Sequence, residues 1–92
     1  MIRSFRNELT ERFAGGESVP QFQSFERVAY RKIKYLQAAQ SLIDLRIPPG
    51  NQLEALKGDR LGQHSIRIND QWRICFVWNE NAAEQVEIVD YH

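Results

Sequence analysis

Apolar residues recur every three or four positions through the first half of the chain and every second position through the rest. The change falls near the paired prolines of "RIPPGN" (46–51), which stop a helix because proline lacks the amide hydrogen and clashes with the preceding turn. "IRSF" (2–5), with Ile2 and Phe5, predicts a short first strand. Asn7 is a helix-cap residue, Glu8 and Glu11 suit the positive end of a helix, and Gly15-Gly16 ends it. Ser18 before Pro20 signals a second helix start. Phe25, Val28, Ala29, Ile33, Leu36, Ala39 and Ile43 then form one stripe, and no Gly or Pro interrupts from Gln21 to Ile47. The pattern predicts a helix there, with Arg27, Arg31, Lys34 and Gln37 off the stripe as a largely basic flank.

"LEAL" (53–56) reads as a short strand and "KGDRLGQ" (57–63) as a loop. In "HSIRI" (64–68), Ile66 and Ile68 share one face, and Ser65 and Arg67 the other. In "WRICFVW" (72–78), Trp72, Ile74, Phe76 and Trp78 alternate with Arg73, Cys75 and Val77. "NDQ" (69–71) and "NENAAE" (79–84) are turns, and "QVEIVDY" is the last strand. Strands joined by short turns pair antiparallel. The expected fold is α+β: a short N-terminal strand, then two helices packed on one face of a small antiparallel sheet. The expected organisation is a single domain, 1–92.

Composition narrows the class. Apolar residues make up 42% and charged residues 26%, as in ordinary soluble globular chains. Cys75 is the single cysteine, so no intramolecular disulfide forms and a reducing compartment fits. No basic-then-apolar leader and no long apolar run occurs, which leads to the expectation of a cytoplasmic protein off the membrane. Twelve basic and twelve acidic residues cancel, yet residues 27–73 carry nine basic side chains against four acidic ones. Such a polarised distribution builds a local positive field.

The imidazoles His64 and His92 and the Cys75 thiol show no metal-ligand spacing, and no cofactor is expected. A Ser65–His64–Asp90 triad lacks a G-x-S-x-G elbow. Arg67 and Arg73 are better placed, because both alternate with apolar residues and share a face if their strands form a hairpin. Lys57 sits at a strand end, and the last strand leads to Asp90, Tyr91 and His92. Basic side chains beside Tyr and His suit a phosphodiester, whose phosphate they hold while the others move protons. The alternative is that the arginines face water and Tyr91 packs.

"LKGDR-G-HSIRINDQWRICF" (56–76), "PPGN-LE-L" (48–56), "MIRSF" and the closing "VEIVDYH" together resemble the HigB-type toxins of bacterial toxin–antitoxin systems, in the RelE/ParE-like superfamily. The resemblance spans nearly the whole chain. It implies a ribosome-dependent, metal-independent endoribonuclease that cuts mRNA and stops translation. It further implies a cognate helix-turn-helix antitoxin as partner, with operator DNA bound through that antitoxin. Carried over by position, Arg73, Asp90, Tyr91 and His92 match the family's active-site positions, and Lys57 a basic position beside them. Glu54 stands where some members have His. Arg31, Lys34 and Arg67 are expected to hold RNA backbone, and "DYH" is expected to be a site that needs the chain to end there. Two alternatives share the fold: a gyrase-type protein–protein inhibitor, and an RNA-binding module without catalysis.

Overall fold

The computed structural model describes residues 1–90. Its helices are α1 (Glu8–Ala14), α2 (Glu26–Ala38) and α3 (Leu42–Arg46), with 3-10 turns at Pro20–Phe25, Pro49–Asn51 and Gly58–Arg60. Its strands are β1 (Glu54–Ala55), β2 (His64–Arg67), β3 (Trp72–Asn79) and β4 (Ala82–Asp90). They pair antiparallel in chain order. The core joins Phe13, Phe22, Ala29, Ile33, Leu36 and Leu45 of the helical layer to Ile66, Ile74, Phe76, Val86 and Ile88 of the sheet. This is the expected α+β arrangement with helices on one sheet face.

Local signals explain most boundaries. The Asn7 side chain accepts from the Thr10 amide at 2.9 Å and opens α1. Gly16 closes it at φ 101°, and the Glu17 amide reaches back to the Arg12 carbonyl at 3.1 Å. Glu80 and Asn81, both at positive φ, make the two-residue turn joining β3 to β4. The structure therefore starts the last strand at Ala82, where the sequence pattern suggests that the turn continues to Glu84.

Two expectations are corrected. The uninterrupted helix from Gln21 to Ile47 is a 3-10 turn, α2 and α3. Ala39 leaves helical geometry at ψ 136°. The Asp44 carboxylate accepts from the Gln40 and Ser41 amides at 2.8 and 3.2 Å, as part of a capping box that starts α3 afresh. The Met1 main-chain nitrogen donates to the Leu36 and Ala39 carbonyls and ties off the end of α2. Ile43, assigned to the buried stripe, is consequently 63% exposed. The N-terminal strand is reduced to two isolated parallel bridges, Ile2 to Ala83 and Phe5 to Val86.

Those bridges matter because they cover the outer edge of β4. The Ala83 and Val86 amides donate to the Met1 and Ser4 carbonyls, and the Gln85 amide to Ser4 Oγ. The Ile88 amide, beyond the reach of this segment, donates to the buried Thr10 Oγ1 of α1 at 3.1 Å. An uncovered strand edge invites pairing with another chain.

Within β4 the register with β3 shifts by one residue between Val77↔Glu84 and Cys75↔Glu87, and Gln85 takes φ 51° there. This bulge reverses the alternation. Ala83, Val86 and Ile88 all reach the core, and Glu87 and Val89 fall on the opposite face. Without the extra residue, Glu87 would point into the core.

Replacing Thr10 with Val removes the acceptor of a buried amide. The expected outcome is a loss of about 1–3 kcal/mol in unfolding free energy. Urea titration followed by circular dichroism measures it. Thr10→Ser, which keeps the hydroxyl, is expected to lose less.

Candidate functional site

The sheet face turned away from the helices carries Glu54, Arg67 and Arg73 of the polar residues singled out from the sequence. Across one row lie Glu54, Ser65, Cys75 and Glu87, one from each strand. The next row holds Arg67, Arg73 and Val89. Arg67 and Arg73 are direct cross-strand partners, as the hairpin argument requires. Like charges in that position repel, and each guanidinium is held by a different neighbour. Arg67 pairs with the Asp70 carboxylate in the following turn. Arg73 donates from Nε to Ser65 Oγ at 2.7 Å and from Nη2 to the Gln52 carbonyl at 2.7 Å.

A third cation approaches this pair from α2. Lys32 is only 4% exposed, and its ammonium donates to Asn51 Oδ1 at 2.7 Å. Burial lowers its pKa, and the charges of Arg31, Arg67 and Arg73 lower it further. Arg31, Lys32, Arg67 and Arg73 therefore share one positive field, suited to an anion. The sequence pattern did not mark Lys32, and it raised Ser65 only as a member of the triad and not as a partner of Arg73. Lys32 follows Ala29 by three residues and precedes Leu36 by four, so its place inside the apolar stripe was visible. Ser65 shares the parity of Arg67 and was equally visible.

Asp90 pairs with Trp72, one step beyond the Arg73–Val89 row. Its carboxylate accepts from Gln71 Nε2 at 3.0 Å. Tyr91 and His92 lie outside the described residues. Glu54 is exposed on the edge strand, with Ser65 between it and β3. Lys57 is exposed just after β1, where the chain enters the Gly58–Arg60 turn. Lys34 lies elsewhere: its ammonium stands 5.1 Å over the Tyr30 ring, in a groove of about 420 Å³ lined by Ile2, Phe5, Ala14, Ile33 and Gln37. His64 and Ser65 point to opposite sheet faces, and the His64 ring stacks on Phe76 at 6.2 Å, which separates the members of the triad considered above. Among the described residues no cluster of His, Cys, Asp and Glu is arranged to hold a metal ion.

Cys75 forms the floor of this face and is fully buried. Arg60, from the 57–63 loop, donates to Gln63 Oε1 at 3.1 Å and to Glu87 Oε1 at 3.3 Å. Burial raises the Cys75 pKa, Glu87 and Glu54 add to the rise, and Arg60 and Arg73 oppose it.

Residues 3–92 match the family described as "RelE-like toxin of type II toxin-antitoxin system HigB". Toxin HigB-1 of Vibrio cholerae serotype O1 is 39% identical over 87 residues, covering 90% of both chains. The chain belongs to the HigB family of RelE-like toxins. An uncharacterized protein of Haemophilus influenzae is 36% identical over 60 residues, covering 65% of this chain and 59% of the relative. Among solved structures, the YoeB–YefM complex of Staphylococcus aureus superposes with a TM-score of 0.57 at 20% identity, covering 100% of this chain and 98% of that one. The YoeB dimer from the same organism gives 0.55 at 20% identity, covering 99% and 97%. These two establish that a HigB-family chain shares its fold with YoeB. Among the described residues, no helix is long and apolar enough to cross a membrane.

A thiol that is buried and raised in pKa offers little thiolate. Iodoacetamide at mildly alkaline pH is expected to alkylate Cys75 at least about tenfold more slowly in the native protein than in urea. Mass spectrometry of timed samples reads the rate. Equal rates would mean that the fold does not shield the thiol.

Proposed function

We propose that this HigB-family chain is a ribosome-dependent endoribonuclease that cuts mRNA and so stops translation. The observation that carries the reading is the opposed pair Arg67 and Arg73 on the sheet face turned away from the helices, within the electrostatic reach of the buried Lys32 of α2. Packing cations this closely is unfavourable in an empty fold and becomes favourable when a phosphate joins them.

The chemistry follows from RNA itself. The 2′-oxygen attacks the adjacent phosphorus, the bond to the 5′-oxygen breaks, and a 2′,3′-cyclic phosphate and a 5′-hydroxyl result. One group takes the 2′-hydroxyl proton and another gives a proton to the departing 5′-oxygen. Arg73, fixed at Nε and Nη2, stabilises the charge that grows on the phosphoryl oxygens. His92 exchanges protons near neutral pH, since a free imidazole titrates at about 6.5. Tyr91 orients or donates, and Asp90 accepts from the 2′-hydroxyl or from the imidazole. Glu54, where some family members carry His, serves as a carboxylate base in its place, or His92 serves alone. Lys57 and Arg67 hold neighbouring phosphates, and Arg31 and Lys34 of α2 meet ribosomal RNA.

The ribosome supplies the orientation that so small a protein lacks, and positioning alone contributes about 7–11 kcal/mol. An antitoxin partner is proposed from the family and from the YoeB–YefM neighbour. A helix-turn-helix fold for that antitoxin, and operator binding by the complex, are part of the same proposal.

The test is expression without antitoxin, with 5′-end mapping of cellular mRNA and a parallel digestion of naked RNA. Cuts inside coding regions are expected only where ribosomes are present. Efficient cutting of naked RNA at the same sites would refute the ribosome-dependent mechanism.

Arg73→Ala is expected to lower the single-turnover cleavage rate on ribosomes by about 10²–10³-fold. Arg73→Lys is expected to recover part of it, because the two-pronged geometry is lost. Arg31→Ala and Lys34→Ala are expected instead to weaken ribosome binding and flatten its salt dependence, with the bound-state rate kept. Wild-type cleavage by folded Arg73→Ala would remove Arg73 from the mechanism.

A further inference from the structure

The Arg73 guanidinium is held on one side by Gln52, and the reason Gln52 stands there begins in α2. Lys32 occupies a helix position that otherwise belongs to the core, flanked by the buried Ala29, Ile33 and Leu36. Long cationic chains are seldom buried without a partner. Here the partner is Asn51, itself fully buried, which receives the ammonium at Oδ1. The same amide donates from Nδ2 to the Leu45 carbonyl at 3.0 Å, and the Asn51 main-chain nitrogen donates to the Pro48 carbonyl at 3.0 Å. One side chain thus ties α2, the end of α3 and the Pro49–Asn51 turn together. The turn packs directly on the ammonium, which stands 3.7 Å from the point a Cβ would take at Gly50.

The next residue is Gln52, in the left-handed region at φ 45° and ψ 57°. A residue with a side chain enters that region at a cost and stays there when its surroundings hold it. Its carbonyl is the acceptor of Arg73 Nη2. The chain of contacts is continuous: Lys32 to Asn51, Asn51 through the backbone to Gln52, and Gln52 to Arg73.

We propose that Lys32 and Asn51 are positioning residues for Arg73, holding the Pro49–Gln52 turn so that the Gln52 carbonyl and Ser65 Oγ fix the guanidinium. The consequence for catalysis rests on the cleavage reading above, and the geometry of Arg73 does not. Lys32 acts through Arg73 and touches no reacting atom.

The first arm of the test needs no ribosome. In the full-length nitrogen-15-labelled protein, solvent exchange of the Arg73 Nε–H is measured by NMR and assigned by its disappearance in Arg73→Lys. Ser65→Ala, which removes the Nε acceptor, marks the unprotected limit. Lys32→Met and Asn51→Ala, with native circular dichroism and melting, are expected to raise the exchange rate about tenfold or more. Wild-type exchange in both would overturn the proposal. If the Met variant does not fold, Lys32→Gln is read in the same way.

The second arm is single-turnover cleavage on ribosomes. Lys32→Met is expected to lower the rate about tenfold with ribosome affinity unchanged, and to add nothing in an Arg73→Ala background. An equal loss in both backgrounds would mark a general stability effect and overturn the positioning role. If the wild-type protein cuts no mRNA, the cleavage reading falls and the exchange arm alone decides whether the brace holds Arg73.

Discussion

Between Val77↔Glu84 and Cys75↔Glu87, β4 carries one residue more than β3, and both faces of the sheet depend on it. A strand shows its side chains to alternate sides, so an unbroken β4 that buried Ala83 would also bury Gln85, Glu87 and Val89. Gln85 absorbs the mismatch in a left-handed conformation. Its amide turns to Ser4 Oγ, so the covering N-terminal segment satisfies the bulge as well as the strand edge. Val86 and Ile88 then complete the core, and Glu87, the cross-strand partner of Cys75, accepts from Arg60.

The opposite face concentrates positive charge against electrostatic preference. Two arginines face one another across β2 and β3, and a buried lysine lies close by. Asp70, Ser65, Gln52 and Asn51 spread and orient these cations. Only the first of the four is an anion. The others are neutral acceptors, which hold donors in place while leaving the field positive. Such an arrangement orients the cations without neutralising their charge, as the cleavage proposed above requires of groups that stabilise a reacting phosphate.

The fold class, the strand pairing, the Asn7 cap and the Gly16 stop follow from period, turn chemistry and the conformational freedom of glycine, all of which act over a few residues. The shared face of Arg67 and Arg73 is likewise a matter of alternation and one short turn. The break after Ala38 was less visible, because an apolar stripe runs through it and Ala39 is a good helix former. Its signal was local all the same: Ser41 and Asp44 stand at capping-box spacing. The family resemblance, carried by motifs distributed along the chain, was legible in full and agrees with the match over residues 3–92.

Other features required distant segments to meet. No local pattern states that Gln85 will bulge, since that follows from matching two strands and the N-terminal segment at once. None states that Lys32 will find Asn51 nineteen residues on, or that Gln52 will present its carbonyl to Arg73 twenty-one residues away. Lys34, from the same basic flank as Arg31, was set apart from the Arg73 cluster only by how α2 sits on the sheet and α1. Periodicity and turn chemistry act through neighbouring residues and are therefore written in the sequence. The placement of a buried ammonium, a register shift and a guanidinium clamp depends on hydrogen bonds between segments that only the packed chain brings together.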